Sequence, residues 1–181
     1  MDRYTILKII SGVLPIISIF LPLWYISFNA PMFGQQWLDI YVYGNGHIDG
    51  PLHQINIANH YVGLKDITLE QLWELKYLPY LFLAIAAVPL ISLVKESWIW
   101  IAAHLGLVLS IPVYIQVWLY NFGHDLQAGA AIEIEPFTPY VFGYYQIANF
   151  KILAVLHVGF WLLVASFILS FVAYWRFYKA E

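Results

Sequence analysis

Cysteine is absent from all 181 residues, which excludes disulfides and thiolate metal sites together. Charge is scarce: Asp, Glu, Lys and Arg make up only 10% of the chain, where a soluble domain averages about a quarter. A surface so poor in charge cannot face water on every side. The formal net charge of −3 gives no basis for a nucleic-acid partner. Also missing are a phosphate-binding glycine loop, a His-Glu-x-x-His pair and a Ser/His/Asp arrangement. No independent catalyst is expected.

What the chain has in abundance is apolar surface, 62% hydrophobic and 19% aromatic residues. Residues 9–28, 77–94, 98–120 and 152–175 carry no Lys, Arg, Asp or Glu. Each run is close to the ~20 residues a helix needs to cross a ~30 Å hydrocarbon core. The pattern predicts an all-α membrane protein, a single domain of four transmembrane helices in a four-helix bundle. The first run exceeds the 7 to 15 residues usual for a signal-peptide core and no A-x-A site follows it, so it reads as a retained anchor. Arg3, Lys8, Lys95, Arg176 and Lys179 would lie on short segments of one side. Lys65, Lys76 and Lys151 are spread over two long loops with eight acids. That asymmetry predicts a multi-pass cell-membrane protein with both termini cytoplasmic and outer loops at 29–76 and 121–151.

Within the first outer loop, residues 37–43 are rich in β-formers and precede the turn signal Gly44-Asn45-Gly46. A second strand through residues 52–57 would complete a small β-hairpin. Residues 66–75 read as an amphipathic interfacial helix with Leu69, Leu72, Trp73 and Leu75 on its apolar side. The second loop holds Gly123, Gly129, Pro136, Pro139 and Gly143, so little regular structure is expected there. The two loops are expected to pack together as a cap. Pro15, Pro22, Pro79, Pro89 and Pro112 in the spans read first as packing kinks and second as a gate.

The histidines are the candidates for chemistry. His47, His53 and His60 share the first loop, and His124 with Asp125 follows the third span. On a helix, the seven-residue spacing of His53 and His60 separates them by ~10 Å, too far for one metal. A bend at Gly50-Pro51 would bring them together, with Asp39 and Asp49 completing an N/O site suited to copper or zinc. The bland reading has His60 and Asn59 bonded to loop backbone, and His124-Asp125 as a polar turn. His104 and His157 fall inside predicted spans, but their depths differ by roughly 12 Å, so a haem between them is not expected. Each should instead hydrogen-bond to a neighbouring helix.

The run Leu52-His53-Gln54-Ile55-Asn56-Ile57-Ala58-Asn59-His60-Tyr61-Val62-Gly63-Leu64 resembles the LH-x-IN-x-x-NHY-IG-M signature of a family of four-span membrane proteins. Tyr120 to Leu126 is similar to that family's segment after the third span. Glu135-Pro136-Phe137-Thr138-Pro139-Tyr140 and Ile147-Ala148-Asn149-Phe150 resemble its PFTPP…IANF segment. Tyr140 departs from the second proline of that pair, and Leu64 from the usual methionine, a soft copper ligand. Family members occur beside genes for periplasmic copper enzymes of the nitrous-oxide reductase type.

The resemblance implies a non-catalytic integral membrane accessory or subunit of an exoplasmic copper-linked redox or respiratory system, engaged in electron transport. Copper is the implied cofactor, and a membrane or exoplasmic redox complex the implied partner. His47, His53, His60 and His124 would be the metal candidates, and Asn56, Asn59, Tyr61, Gly63, Pro136, Phe137, Pro139 and Asn149 the structural cap. A structural subunit of a haem-copper oxidase or quinol-oxidising complex is the alternative. A transporter is the third reading, although no predicted span contains an acidic residue to couple ions.

Overall fold

The computed structural model describes residues 3–147 and 149–180. In chain order the elements are α1 (Arg3–Ser18), β1 (Pro22–Asn29), β2 (Leu38–Tyr43), β3 (Ile48–Asp49), α2 (Leu52–Tyr61), α3 (Leu78–Ile91), α4 (Trp98–His124), β4 (Gly143–Ile147), β5 (Phe150–Leu156) and α5 (Val158–Ala180). Short 3-10 turns occupy Pro31–Phe33 and Trp73–Tyr77. The strands form one antiparallel sheet in the order β3-β2-β1-β5-β4.

The sheet overturns the all-α expectation. Residues 9–28 are not one span: α1 ends at Ser18, and β1 begins at Pro22 and pairs with β2 on one side and β5 on the other. Similarly, residues 152–156 belong to β5, and the last helix starts only at Val158. An apolar run reads alike as buried strand or buried helix, and only pairing partners decide between them. Here Trp24 lies opposite Val42 and Leu156, and Ile26 opposite Ile40 and Ala154. These cross-strand pairs give β1 partners along both edges, which a membrane-spanning helix would forfeit.

Three segments are long and apolar enough to cross a membrane: Trp73–Ile91, Trp98–His124 and Val158–Arg176. This is compatible with a membrane protein, and it replaces the expected four-helix bundle by three candidate spans beside a sheet. With 16 residues, α1 rises only about 24 Å, short of the ~30 Å core. It packs against α5 and α3 with a narrow polar and small-residue stripe, Lys8, Ser11, Gly12, Pro15 and Ser18. Ile6, Ile9, Ile10, Val13, Ile16 and Ile17 point outward. Apolar outside and polar inside is the reverse of a soluble amphipathic helix and suits an apolar solvent.

Inside the helical layer, Ser11 Oγ donates to Ser166 O at 2.7 Å and Ser166 Oγ to Ser11 O at 2.6 Å. His104 Nε2 lies 3.2 Å from Ser166 Oγ, so this histidine does tie α4 to α5. His157 is not in a helix. It sits between β5 and α5, its ring 6.3 Å from that of Tyr25 and 5.9 Å from that of Tyr41.

The local expectations fare unevenly. Residues 38–43 do form a strand, and its hairpin partner is Ile48–Asp49 across the predicted turn. Residues 52–57, expected as that partner, instead open helix α2, whose inward residues are Ile55, Ala58 and Asn59. Residues 66–75 do not form an interfacial helix; only the 3-10 turn at Trp73–Tyr77 is helical. The second loop contributes β4, against the expectation of little regular structure.

Tyr145 on β4 joins the sheet to the following layer beside Trp24 and Leu119. Burial pushes its phenol up to about 12 from the ordinary 10.0, partly offset by a backbone hydrogen bond from Tyr140. Because the folded state holds this proton more tightly, its contribution is constant below pH 10 and is lost as pH rises through about 12. Tyr145→Phe should therefore flatten the fall in melting temperature above pH 10 while leaving the slope near neutrality unchanged. Parallel alkaline slopes in the two proteins would contradict this assignment.

Candidate functional site

A cavity of about 340 Å³ lies where the sheet meets the helices. One wall is a sheet face: Trp24 and Ile26 of β1, Ile40 and Val42 of β2, and Ile48 of β3. These residues share a face because they are direct cross-strand partners, Trp24 to Val42, Ile26 to Ile40 and Val42 to Ile48. The opposite wall comes from Leu78 and Leu81 of α3 and from Ser110, Ile111, Tyr114, Ile115 and Trp118 of α4. Ser110, Tyr114 and Trp118 recur every four residues, which sets them on one helical stripe. The segment joining α2 to α3 closes the space with Ile67, Leu72, Glu74, Leu75 and Tyr77.

Among the described residues, Glu74, Ser110, the tyrosine hydroxyls and the indole N–H groups of Trp24 and Trp118 are the polar side-chain groups of this apolar lining. The Tyr114 hydroxyl donates a hydrogen bond to the Glu74 carboxylate. Glu74 Oε2 is buried and has no hydrogen-bond partner among the described residues. Ser110 donates its proton to Leu107 O at 2.7 Å, which leaves its oxygen able to accept. Water needs two to four polar partners to be held well, so most of this volume favours an apolar occupant. Size and lining both fall in the usual range of small-molecule sites, apolar walls with a few polar groups.

The loop motif serves to build the lid of this region. Asn56 clamps residue 67 twice, donating to Ile67 O at 3.1 Å and accepting from Ile67 N at 2.8 Å. Asn59 Nδ2 donates to Lys65 O at 3.4 Å. The second loop meets the first through Gln127 N to Gly63 O at 2.7 Å and Ile132 N to Tyr61 O at 3.0 Å. Gly63 has φ +75°, and a side chain there would also press on Gln127 O at 2.8 Å. On the α4 side, Gln116 grips the second loop at Pro139 O (2.8 Å) and Val141 N (3.0 Å). Phe137 N donates to Gly123 O at 3.1 Å, and the Phe137 ring packs with Leu64 and Phe150. Pro136 and Asn149 are exposed.

The four candidate histidines are not brought together. His47 lies beside the Tyr43 ring at 5.8 Å, and His53 is exposed on α2. His60 Nε2 is 3.9 Å from Asp66 Oδ1. His124 stacks on Tyr120 at 4.0 Å, with Nδ1 2.8 Å from the Tyr120 carbonyl oxygen. Among the described residues no group of three or more His, Asp or Glu is placed to hold a metal ion. Asp39, weighed as an oxygen ligand, accepts at Oδ1 from Tyr25 Oη (2.9 Å) and Ser27 Oγ (2.6 Å). Burial and this carboxylate push the Tyr25 phenol up, with Ser27 opposing. The described residues thus gather no ligand set for the copper ion that the motif resemblance implies.

Sequence reasoning missed Glu74, Ser110, Tyr114 and Gln116. The stripe in α4 was a legible signal, since Ser110, Tyr114 and Trp118 recur at four-residue spacing in an apolar span. Glu74 carried none, because its neighbours predicted an amphipathic interfacial helix with Glu74 off its apolar side. No family model, curated protein or solved structure matches the chain.

Proposed function

We propose that this chain is a non-catalytic membrane protein that binds a small amphiphilic molecule in the cavity between sheet and helices. The observation that carries this is the cavity itself, about 340 Å³ with apolar walls and one polar end. Its position beside α3 and α4, two of the candidate spans, gives an apolar molecule a route from the bilayer. An orientation with the sheet outside and the opposite end of the helical layer cytoplasmic is supported by charge. Lys8 meets Ser92 and Glu96 at the end of the helices away from the sheet. Arg3, Lys95 and Arg176 belong to that same end, as the positive-inside tendency requires. A copper-linked accessory role has the motif resemblance as its support and no gathered ligand set beside it.

The test is photolabelling in nanodiscs with a diazirine-bearing dodecanol. Adducts are expected on Ile48, Leu72, Leu81 and Ile111, competed by unlabelled dodecanol and reduced at least tenfold by cavity-filling Leu81→Trp. Labelling confined to outward residues such as Val113 and Val117, and indifferent to competitor, would refute the proposal. Because competition is measured on the unaltered protein, misfolding of the tryptophan variant cannot mimic a positive result.

A further inference from the structure

The charge of the occupant can be read from the polar end of the cavity, an inference that rests on the amphiphile-binding reading above. Glu74 places a carboxylate oxygen, buried and without a hydrogen-bond partner among the described residues, at an otherwise apolar wall. None of the ion pairs among the described residues involves Glu74. The nearest basic residue in sequence, Lys76, is turned onto the rings of Trp73 and Tyr77, at 5.4 Å and 5.0 Å from their centroids. One oxygen of this half-buried carboxylate is hydrogen-bonded by the Tyr114 hydroxyl, while Oε2 is held out of water without a partner, and a bound cation would satisfy it.

The rest of the lining suits a cation and opposes an anion. Tyr77, Tyr114, Trp24 and Trp118 present aromatic surface to the same space, and aromatic faces attract ammonium groups. Ser110 offers an acceptor oxygen because its proton is committed to Leu107 O. A primary ammonium has three donors and no acceptor, which matches Glu74 Oε2, Ser110 Oγ and the Tyr114 hydroxyl oxygen. A fatty-acid carboxylate would instead face Glu74 with like charge and find few donors.

We infer that the cavity recognises a lipophilic organic cation, its ammonium group against Glu74 and its apolar body between the sheet face and α4. The occupant is selected by charge at one point and by apolar contact everywhere else. Such selection is a difference of affinities, with repulsion of the anionic amphiphiles as its second half.

The experiment uses the full chain in nanodiscs with the same diazirine dodecanol label. Dodecylamine, dodecanol and dodecanoate, which share one chain length, serve as competitors. Dodecylamine is expected to displace the label at least tenfold more effectively than dodecanol, with dodecanoate weakest. Glu74→Gln, which keeps shape and removes charge, should reduce the amine advantage to less than threefold while dodecanol still competes. Equal potency of the three competitors, or a preference for dodecanol or dodecanoate, would overturn the cation assignment and leave amphiphile binding standing. Persistence of the amine preference in Glu74→Gln would overturn the role of Glu74. Absence of any competable cavity label would defeat the underlying reading as well.

Discussion

Lys8→Met should destabilise the protein by about 3–5 kcal/mol, the usual loss when one member of a buried ion pair is removed. Lys8 lies in α1 with its side chain 6% exposed, paired to Glu96, which is 13% exposed. Lys8 Nζ also donates to Ser92 O at 3.2 Å, and Ser92 Oγ in turn donates to Pro89 O at 2.8 Å. Glu96 Oε1 has no hydrogen-bond partner among the described residues. Without Lys8 the carboxylate loses the cation paired to it among the described residues. The cost therefore comes mainly from the charge left behind, not from the lysine lost. The double variant Lys8→Met/Glu96→Met should recover most of the stability, since well-packed apolar replacements of a buried pair are often neutral. Unfolding in mild detergent, followed by circular dichroism across the four proteins, measures the coupling. A single-variant loss below about 1 kcal/mol would place the pair in the range of hydrated surface bridges instead.

A second large effect is expected at the end of α4. Helix propensity alone favours Gly→Ala by up to ~1 kcal/mol, yet Gly123→Ala should destabilise by roughly 3 kcal/mol through overpacking. A Cβ on Gly123 would lie 2.1 Å from the Phe137 carbonyl oxygen and 3.0 Å from Pro139 Cδ. Neither is the free end of a flexible side chain. The second loop must back away, which strains the Phe137 to Gly123 hydrogen bond and the hold of Gln116 on residues 139 and 141. The same helix supplies its own control: a Cβ on Gly106 meets nothing within 4 Å. Gly106→Ala should be neutral or slightly stabilising in the same assay. If both alanine variants gained stability, the close approach of loop and helix would be disproved.

How much of this was legible in the residues differs from element to element. α4 stands out because 27 helical residues follow an N-terminal serine and contain no charged side chain, a signal that needs no partner. β2 was legible from alternation, and the turn at residues 44–46 from its glycines. α2 was misread as strand because Leu52, Ile55 and Ile57 suit either period. Its burial of Ile55, Ala58 and Asn59 shows the helical spacing once the sheet is present to bury them. The interfacial helix failed for a related reason. Asn56 holds residue 67 by both backbone groups, and those bonds draw the segment away from a continuous helix.

The candidate site divides along the same line. The asparagines and glycines of the loop motif lie near where the two loops meet. The histidines in that motif pointed to chemistry that their positions do not assemble. The cavity was invisible, because its walls come from β1, β2, β3, α3 and α4 and from the connecting segment. No local window of sequence contains more than a fraction of it.

By itself, the sequence determined that long, nearly uncharged apolar segments dominate this protein. Scarce charge and long apolar runs are compatible with a membrane environment, since the transfer free energy of side chains depends on composition and not on contacts. What only the tertiary structure decided is which apolar runs cross and which pair. β1 and β5 satisfy their backbone groups in a sheet, and residues 22–29 are thereby withdrawn from the first predicted span. Backbone hydrogen bonding must be completed somewhere, and for β1 one of the two partners, β5, lies more than a hundred residues away in the chain. The face created by that pairing is also what brings Trp24, Ile40 and Ile48 opposite Glu74 and Tyr114.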